Sequence, residues 1–353
     1  MILERYILRE LLGSFVFAFL TVLLVCLVGT MFQIFRSFPG LGFSILMQAL
    51  PLAIGSMAGW VILVAAATAS TLVYARLAAE NEITAMGACG IHTGRILSPA
   101  ILFGLLLVVA TYPLNEYVVP WTRHARRLVG RQSTIEALKF PPPGNQDFFV
   151  GSYRLRYTDY RDGRMINPTI AKLKGSTVIM DYYAPSGLIV ATDTSLKIVM
   201  TKPNYWLLKK NGQQENFSAG NDVTIDIPLD EYENALRQQV DWTSDELWEL
   251  YFQSRDKALR QRLLLFLHTR YSASLAPLLL VLVAVPIGIL VRKGSRLAGL
   301  GAALPPLLIY FVSYFVFQGL GDKNRVHPLV AAYAPDAFLG ALSALLLGGV
   351  SRR

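Results

Sequence analysis

The residues that carry most enzymatic chemistry are dispersed along this chain. Its four histidines, His92, His124, His268 and His327, fall in separate segments, and none belongs to an HExxH or paired-cysteine pattern typical of a metal site. The sequence contains no GxxxxGKS or GxxxxGKT phosphate-binding loop. We therefore predict no catalytic residue, no metal and no cofactor, and we do not expect this protein to be an enzyme.

The residues best placed for binding form a polar stripe in an apolar segment near the C-terminus. Tyr310, Tyr314 and Gln318 recur four residues apart, so they lie on one face of a helix. Because a polar stripe that faces lipid is costly, it should face either a partner helix or a polar cavity. The sequence leaves both alternatives open, packing against a partner helix and facing a polar cavity.

Three cations stand close to the ends of apolar segments. Arg36 follows the first such segment, and Lys323 and Arg325 follow the segment that carries the polar stripe. Arginine engages a phosphate through two parallel hydrogen bonds, whereas lysine offers a point charge. Arg36 is a candidate for a phosphate contact, and the alternative is that these cations only anchor the helix ends at the membrane surface.

The elements that must position these residues are predicted from composition. Of the 353 residues, 53% are hydrophobic and only 16% are charged, which is too apolar for an ordinary soluble domain. A membrane-spanning helix needs about 20 mostly apolar residues. Six candidate segments are predicted, at about residues 11–35, 51–74, 96–117, 271–291, 297–320 and 335–350.

The net charge of +9 is spread along the chain rather than gathered in a nucleic-acid-binding motif, so we predict no nucleic-acid partner. Part of the excess flanks the apolar segments, and it falls on one side of the predicted membrane. That side is predicted to be the cytoplasm, because cytoplasmic loops carry the surplus of Lys and Arg. The residues are Arg5, Arg9, Arg76, Arg95, Arg292, Lys293, Arg296, Arg352 and Arg353. Both termini are then cytoplasmic, and residues 118–268 lie outside.

The apolar pattern changes from a helical period to alternation between about residues 148 and 227. Short β-rich runs are separated there by turn signals such as RDGR and APSG. This pattern predicts an all-β sandwich or jelly roll, whose interior is either a packed core or a cleft for acyl chains. The two cysteines, Cys26 and Cys89, lie outside it, so no disulfide is predicted there. We interpret both as small packing residues.

A short polar segment, residues 74–95, separates the second and third apolar segments. Residues 76–90 contain mostly good helix formers, and Gly90 is placed to end a helix in the left-handed conformation. Because the segment is rich in alanine, another protein surface can approach it closely, while Glu80 and Glu82 offer charges to a basic partner. A simple solvated turn is the alternative.

Several segments together resemble one family of membrane proteins. They are ERYILRELL at the start, LPLAIG before the second span, NEITAMGACGI in the polar segment, YPLNEYVVP after the third span, and LAPLLLVLVAVPIGI with GSRLAGLGA near the end. In this order they resemble the lipopolysaccharide export permeases of the LptF/LptG (YjgP/YjgQ) family. The run ENEITAMGACG is slightly more similar to the F member, and the resemblance covers essentially the whole chain.

The resemblance implies a membrane α-helical fold with six transmembrane helices and an inserted periplasmic all-β, jelly-roll-like domain. The protein would be a multi-pass protein of the bacterial inner membrane. We expect residues 1–122 to hold helices 1–3 with a coupling helix at about 76–90. Residues 123–265 are expected to form the β domain with its connecting helix, and residues 266–353 to hold helices 4–6.

The resemblance also implies a function, as the permease subunit of an ABC-type complex that extracts lipopolysaccharide from the inner membrane and passes it towards the outer membrane. The implied partners are a homologous permease, a cytoplasmic ATPase dimer that hydrolyses the ATP, a single-span periplasmic jelly-roll protein and a bridge protein. Candidate ATPase-coupling residues are Glu80, Glu82, Ile83, Met86 and Gly90. Because the first and fifth helices would line the lipid gates, the lipid-binding candidates are Arg36, Tyr310, Tyr314, Gln318, Lys323 and Arg325.

Two other classes of function fit parts of the sequence. A secondary transporter needs ionisable residues deep within its spans, whereas the acids and bases here cluster at the span ends, which disfavours that class. A membrane sensor or scaffold whose periplasmic domain binds a ligand is compatible with the topology. Copurification separates it from a permease, since a permease should retain an ATPase and a scaffold need not.

Overall fold

The computed structural model of the chain describes residues 2–37, 43–139, 145–150, 153–174, 177–191, 195–208, 214–228, 241–291 and 296–351. Within these ranges the backbone forms nine α-helices and eleven β-strands. The chain divides into two compact units. The membrane unit consists of Met1–Ile34, Leu50–Arg123 and Gln239–Arg353, and the inserted unit consists of Phe35–Ala49 and His124–Gln238.

Six helical segments among the described residues are long and apolar enough to cross a membrane, which confirms the six predicted spans. The helices are α1 (Ile2–Ser37), α2 (Phe43–Ala79), α3 (Glu82–Ala88), α4 (Thr93–Pro113), α5 (Val119–Lys139), α6 (Ser244–Gln253), α7 (Lys257–Leu290), α8 (Arg296–Asp322) and α9 (Pro328–Ser351). A π-helical turn, Leu114–Val118, joins α4 to α5, so that the third span is Thr93–Val129. The sixth span was predicted to begin at about residue 335. It is longer because the helix begins at Pro328, where a missing N–H costs no helical hydrogen bond.

Helix α7 is the most enclosed of the spans. About 56% of the apolar stretch of α7 is buried, against 11% for the apolar stretch of α1 and 22% for that of α8. Small residues let helix backbones approach closely, and a Cβ added at Gly288 of α7 would lie 2.7 Å from the carbonyl oxygen of Thr71 in α2. No other part of the described chain covers the outward faces of α1 and α8. Their exposed apolar side chains include Phe17, Leu24, Phe32, Leu308, Val312 and Phe315.

The strands of the inserted unit form two antiparallel sheets. In chain order they are β1 (Gln146–Val150), β2 (Tyr153–Tyr157), β3 (Asp159–Arg161), β4 (Arg164–Ile166), β5 (Thr169–Lys174), β6 (Thr177–Tyr183), β7 (Ser186–Ala191), β8 (Ser195–Met200), β9 (Asn204–Leu208), β10 (Gln214–Ser218) and β11 (Val223–Pro228). One sheet has the order β1-β2-β5-β6-β9-β10, and the other has the order β11-β8-β7-β4-β3.

Alternate residues of these strands build the core of the inserted unit. Leu155 and Ile170 of the six-stranded sheet belong to the same buried cluster as Ile198 and Ile225 of the five-stranded sheet. The predicted RDGR turn joins β3 to β4 through two residues of positive φ, 52° and 76°, which is the two-residue hairpin that favours Asp-Gly. The inserted all-β, jelly-roll-like domain is thereby confirmed.

Candidate functional site

The polar segment between α2 and α4 contains the short helix α3. Its boundaries divide the segment that was predicted as one helix at about residues 76–90, because α2 continues to Ala79 and α3 begins at Glu82. Asn81 lies between them with a φ of 60°. A residue in this left-handed conformation does not continue a right-handed helix, so the chain changes direction here.

The C-terminal end of α3 is closed by backbone hydrogen bonds. Gly90 has a φ of 78°, and its N–H donates to the carbonyl oxygen of Gly87 at 3.0 Å. The N–H of Ile91 donates to the carbonyl oxygen of Met86, also at 3.0 Å. This is the Schellman arrangement, and it confirms the left-handed termination that the sequence predicts at Gly90.

Helix α3 has one buried face and one exposed face. Met86 is only 8% exposed and lies in a buried cluster with Ile7 and Leu11 of α1, and Ile83 packs against the same cluster. The exposed face carries small side chains, namely Thr84, Ala85, Gly87 and Ala88. Two of the coupling candidates, Ile83 and Met86, therefore hold α3 on the membrane unit. Glu80 and Gly90 are exposed. Cys89 follows α3 and is exposed as well, so the interpretation of Cys89 as a packing residue is wrong.

Polar contacts join the same region to the first turns of α1. The hydroxyl of Tyr6 donates to Oε1 of Glu82 at 3.4 Å and accepts from Nη2 of Arg76 at 3.1 Å. Arg76 also pairs with Glu10 of α1, with 3.3 Å between Nη1 and Oε2. Such partly exposed pairs contribute little stability, but they fix the position of α3 and the end of α2 relative to α1. Glu82 thus contacts α1 within its own chain.

The polar stripe on α8 meets both of the environments that were predicted as alternatives. Tyr310 is fully buried in a cluster with side chains of α2, α7 and α9. One turn later, Tyr314 contacts Trp60 of α2 edge to face, with 5.1 Å between ring centroids. Oε1 of Gln318 accepts a hydrogen bond of 3.1 Å from the hydroxyl of Thr269 in α7. Tyr310 therefore packs, whereas Tyr314 and Gln318 line a cavity.

This cavity has a volume of about 190 Å³ and lies within the membrane unit. Its lining comes from the halves of the spans that are distant from α3, and it combines apolar, aromatic and cationic side chains. The lining residues are Ser56, Gly59, Trp60, Leu63, Asn115, Val119, Pro120, Arg123, Phe266, Thr269, Arg270, Ala273, Tyr314 and Gln318. Such a lining can accept an apolar group next to an anion. No motif or spacing in the sequence singles out Trp60, although an aromatic residue near a span end is typical of a membrane interface.

A buried ion pair supports the floor of the cavity. Glu116 lies in the π-helical turn, where Pro120 has no N–H to donate to its carbonyl oxygen and the N–H of Val119 reaches Leu114 instead. Its carboxylate lies 3.4 Å from Nη1 of Arg270, and the two side chains are 4% and 10% exposed. Helix α7 passes beside the turn and brings Arg270 to Glu116.

The N-terminus of α6 completes this network. The N–H and the hydroxyl of Ser244 each donate to a carboxylate oxygen of Glu116, both at 2.6 Å. A helix N-terminus presents unpaired N–H groups that favour a carboxylate. Arg270 in turn donates to the carbonyl oxygen of Trp242. Glu116, Ser244 and Arg270 therefore satisfy one another and tie the third span to α6 and α7.

A second buried acid lies inside the sixth span, where the sequence predicted none. Asp336 is 5% exposed, and its Oδ2 lies 2.7 Å from the hydroxyl of Ser272 in α7. Acids and bases were predicted to cluster at the span ends, and Asp336 departs from this pattern because α9 begins seven residues earlier than expected. The contact is between neighbouring helices, and Asp336 does not line the cavity.

The structure places two of the three candidate phosphate contacts. Lys323 and Arg325 are exposed in the turn after α8, which follows the cavity-lining end of that helix. Arg36 belongs to the last turn of α1, but its side chain lies outside the described residues. Among the residues that the structure describes, no group of three or more His, Cys, Asp or Glu side chains could hold a metal ion.

Comparison with known proteins identifies the family. No curated protein sequence matches the chain. A family model described as the lipopolysaccharide export system permease LptF/LptG matches residues 5–348, which is nearly the whole length. The match includes all three features described above, the short helix α3, the cavity and the inserted sandwich. The chain therefore belongs to the LptF/LptG family of lipopolysaccharide export permeases, multi-pass proteins of the inner membrane.

Proposed function

We propose that this chain is the permease subunit of an ABC-type complex that takes lipopolysaccharide from the inner membrane and passes it to a periplasmic bridge. The family and the six spans support this proposal. The observation that carries it is α3, a helix anchored on one face and open on the other. Because the sequence has no phosphate-binding loop, a separate ATPase dimer supplies the hydrolysis.

The ATPase dimer binds the exposed face of α3. Small side chains let the two backbones approach closely there, and Glu80 offers a charge at one end of the contact. Ile83, Met86 and Glu82 join α3 to α1 rather than to the partner. A displacement of α3 is therefore transmitted to α1 through packed side chains, and Gly90 lets the chain turn back into α4.

The outward faces of α1 and α8 are where a homologous permease and the lipid approach. These two helices are the least buried spans of the chain, as expected for helices that meet a partner across a gate. The adjoining cavity of about 190 Å³ is smaller than the roughly 300–1,000 Å³ of a small-molecule site. It therefore accepts part of a lipid, with Tyr314 and Gln318 as wall residues and Tyr310 packed behind them.

The cations at the helix ends contact the phosphates of the lipid. Lys323 and Arg325 are exposed beyond α8, and Arg36 lies in the last turn of α1. In this arrangement the apolar part of the lipid lies between the spans while its phosphates meet these side chains. The lipid then passes to a single-span jelly-roll partner and to the bridge protein.

The orientation follows from the charge distribution. Both termini and α3 face the cytoplasm, and residues 123–265 lie in the periplasm between the helical portions 1–122 and 266–353. Native Cys89 is exposed and serves as a cytoplasmic reporter, and Gly220→Cys provides a periplasmic one at an exposed position. A membrane-impermeant maleimide applied to cells with a permeabilised outer membrane should label residue 220 and leave Cys89 unlabelled until the inner membrane is opened. The reverse pattern would invert the orientation.

Copurification in a mild detergent tests the proposed function as a whole. Mass spectrometry of the purified material should detect an ATPase, a second permease and lipopolysaccharide with this chain. A sensor or scaffold predicts the chain and a ligand without an ATPase. Recovery of an intact, folded chain that repeatedly lacks both the ATPase and lipopolysaccharide would contradict the proposal.

A further inference from the structure

The outer face of the six-stranded sheet carries a second cavity, separate from the one in the membrane unit. Its volume is about 410 Å³, and six of its lining residues come from alternate positions of neighbouring strands β6, β9 and β10. They form two rows across the sheet, Asp181–Trp206–Asn216 and Tyr183–Asn204–Ser218. Side chains alternate between the faces of a strand. Since Tyr182 packs against the sandwich core, the two rows face away from that core.

One polar atom of this cavity lacks a hydrogen-bond donor among the described residues. Oδ1 of Asp181 is buried and has no hydrogen-bond partner within the described part of the chain. Burial raises the pKa of the Asp181 carboxyl group, and the charge of nearby Arg154 opposes the shift. A buried acceptor without a donor is unfavourable. The Asp181 side chain as a whole is only partly buried, so its carboxylate can accept from a ligand hydroxyl in the cavity. The amides of Asn204 and Asn216 are exposed beside it and both donate and accept.

The aromatic residues add a flat apolar surface. Trp206 lies in the same row as Asp181, and the ring of Tyr183, 49% exposed, lies in the next row. A pyranose ring has the matching chemistry, because its axial C–H groups form an apolar face while its hydroxyls point outward from the ring edge. A divalent cation fits poorly, since Asp181 is the only carboxylate among the described residues of the lining and Arg154 is near it. An acyl chain would leave the carboxylate and both amides unsatisfied.

We propose that this surface of the inserted unit binds a saccharide. The aromatic side chains of Trp206 and Tyr183 hold the ring face, Asp181 accepts from a hydroxyl, and Asn204 and Asn216 bind neighbouring hydroxyls. The pyranose ring could belong to the oligosaccharide of lipopolysaccharide or to a separate glycan. The first source rests on the proposed function and would make this face a guide for the sugar portion of the same lipid, whereas the second is independent of it.

Saturation-transfer NMR on the full chain in nanodiscs tests the site. Nanodiscs are required because maltoside detergents themselves carry pyranose rings. One probe is the oligosaccharide released from lipopolysaccharide by mild acid, and the other is chitotetraose. We expect ring-proton saturation from at least one probe, at least fivefold weaker with Trp206→Ala. The nearly isosteric Asp181→Asn should weaken binding about tenfold, the change expected for one charge-assisted hydrogen bond.

Asp226→Asn is the matched control, because Asp226 is an exposed carboxylate on the outer face of the other sheet. It should bind like the parent chain. Saturation of only the lipopolysaccharide oligosaccharide, or of only chitotetraose, supports the site and identifies the source. No saturation with either probe, or equal saturation in the parent, Trp206→Ala and Asp181→Asn, would overturn the proposal. Neither transport nor ATPase binding enters this experiment, so its failure leaves the proposed function intact.

Discussion

Replacing Glu116 by alanine is expected to destabilise the membrane unit by about 3–5 kcal/mol, the cost of breaking one side of a buried ion pair. The two side chains are 4% and 10% exposed, so Arg270 would keep its charge without a carboxylate. The N–H and hydroxyl of Ser244 would lose their acceptor as well. Thermal unfolding in detergent, followed by tryptophan fluorescence, should show a midpoint lower by about 6 °C or more.

Two further variants separate the ion pair from a general effect of removing a glutamate. Glu249→Ala removes an exposed glutamate of α6 and should leave the midpoint within about 1 °C, because surface changes cost about 0.5 kcal/mol or less. The double change Glu116→Leu with Arg270→Met should regain much of the lost stability, since no charge is then left unpaired. If Glu116→Ala unfolds at the parent temperature, the network does not hold the third span to α6 and α7.

Introducing tryptophan at Ala85 is expected to lower copurification of the ATPase about tenfold and to reduce lipopolysaccharide export to a similar extent. Ala85 is exposed on α3 and lies about 100° around the helix from the buried anchoring residue Met86. Overpacking a close contact costs about 1–3 kcal/mol, and 1.4 kcal/mol corresponds to tenfold in affinity. Since the side chain points away from the membrane unit, the chain itself should fold normally.

A tryptophan at Ala258 is the control for bulk and hydrophobicity. Ala258 is an exposed alanine in the first turn of α7, and the proposed orientation places it on the other side of the membrane from α3. Ala258→Trp should retain the ATPase at the parent level. If Ala85→Trp also retains the ATPase and exports lipopolysaccharide normally, the exposed face of α3 is not the docking surface.

The elements of this fold were predictable because their signals are local. Long apolar runs predict spans, and the Asp-Gly pair after Arg161 predicts a hairpin turn that the structure confirms. The left-handed end at Gly90 follows from the conformational freedom of glycine. In each case residues that are close in sequence determine the conformation, so it can be predicted without knowing the tertiary contacts.

The partners of polar residues were less predictable because they depend on packing between distant segments. Arg270 is 154 residues from Glu116, and nothing near either residue indicates the other. The sixth segment was predicted to begin at about residue 335, which puts Asp336 at its end, whereas α9 begins at Pro328 and contains Pro335 within the helix. For α3, the sequence predicted a helix but not which face is buried, so Ile83 and Met86 were grouped with residues that are exposed.

Photocrosslinking at the cavity wall tests most directly whether this chain carries lipopolysaccharide. Benzoylphenylalanine in place of Tyr314 puts a photoreactive aromatic group into the cavity, and the same group at Val109, an exposed position of α4, reports contact with bulk lipid. In cells, we expect a lipopolysaccharide adduct at residue 314 that is several times stronger than at residue 109. In the complex purified with its ATPase, addition of ATP should reduce that adduct. An adduct no stronger at residue 314 than at residue 109, in chains present at equal levels, would contradict the proposed lipid path.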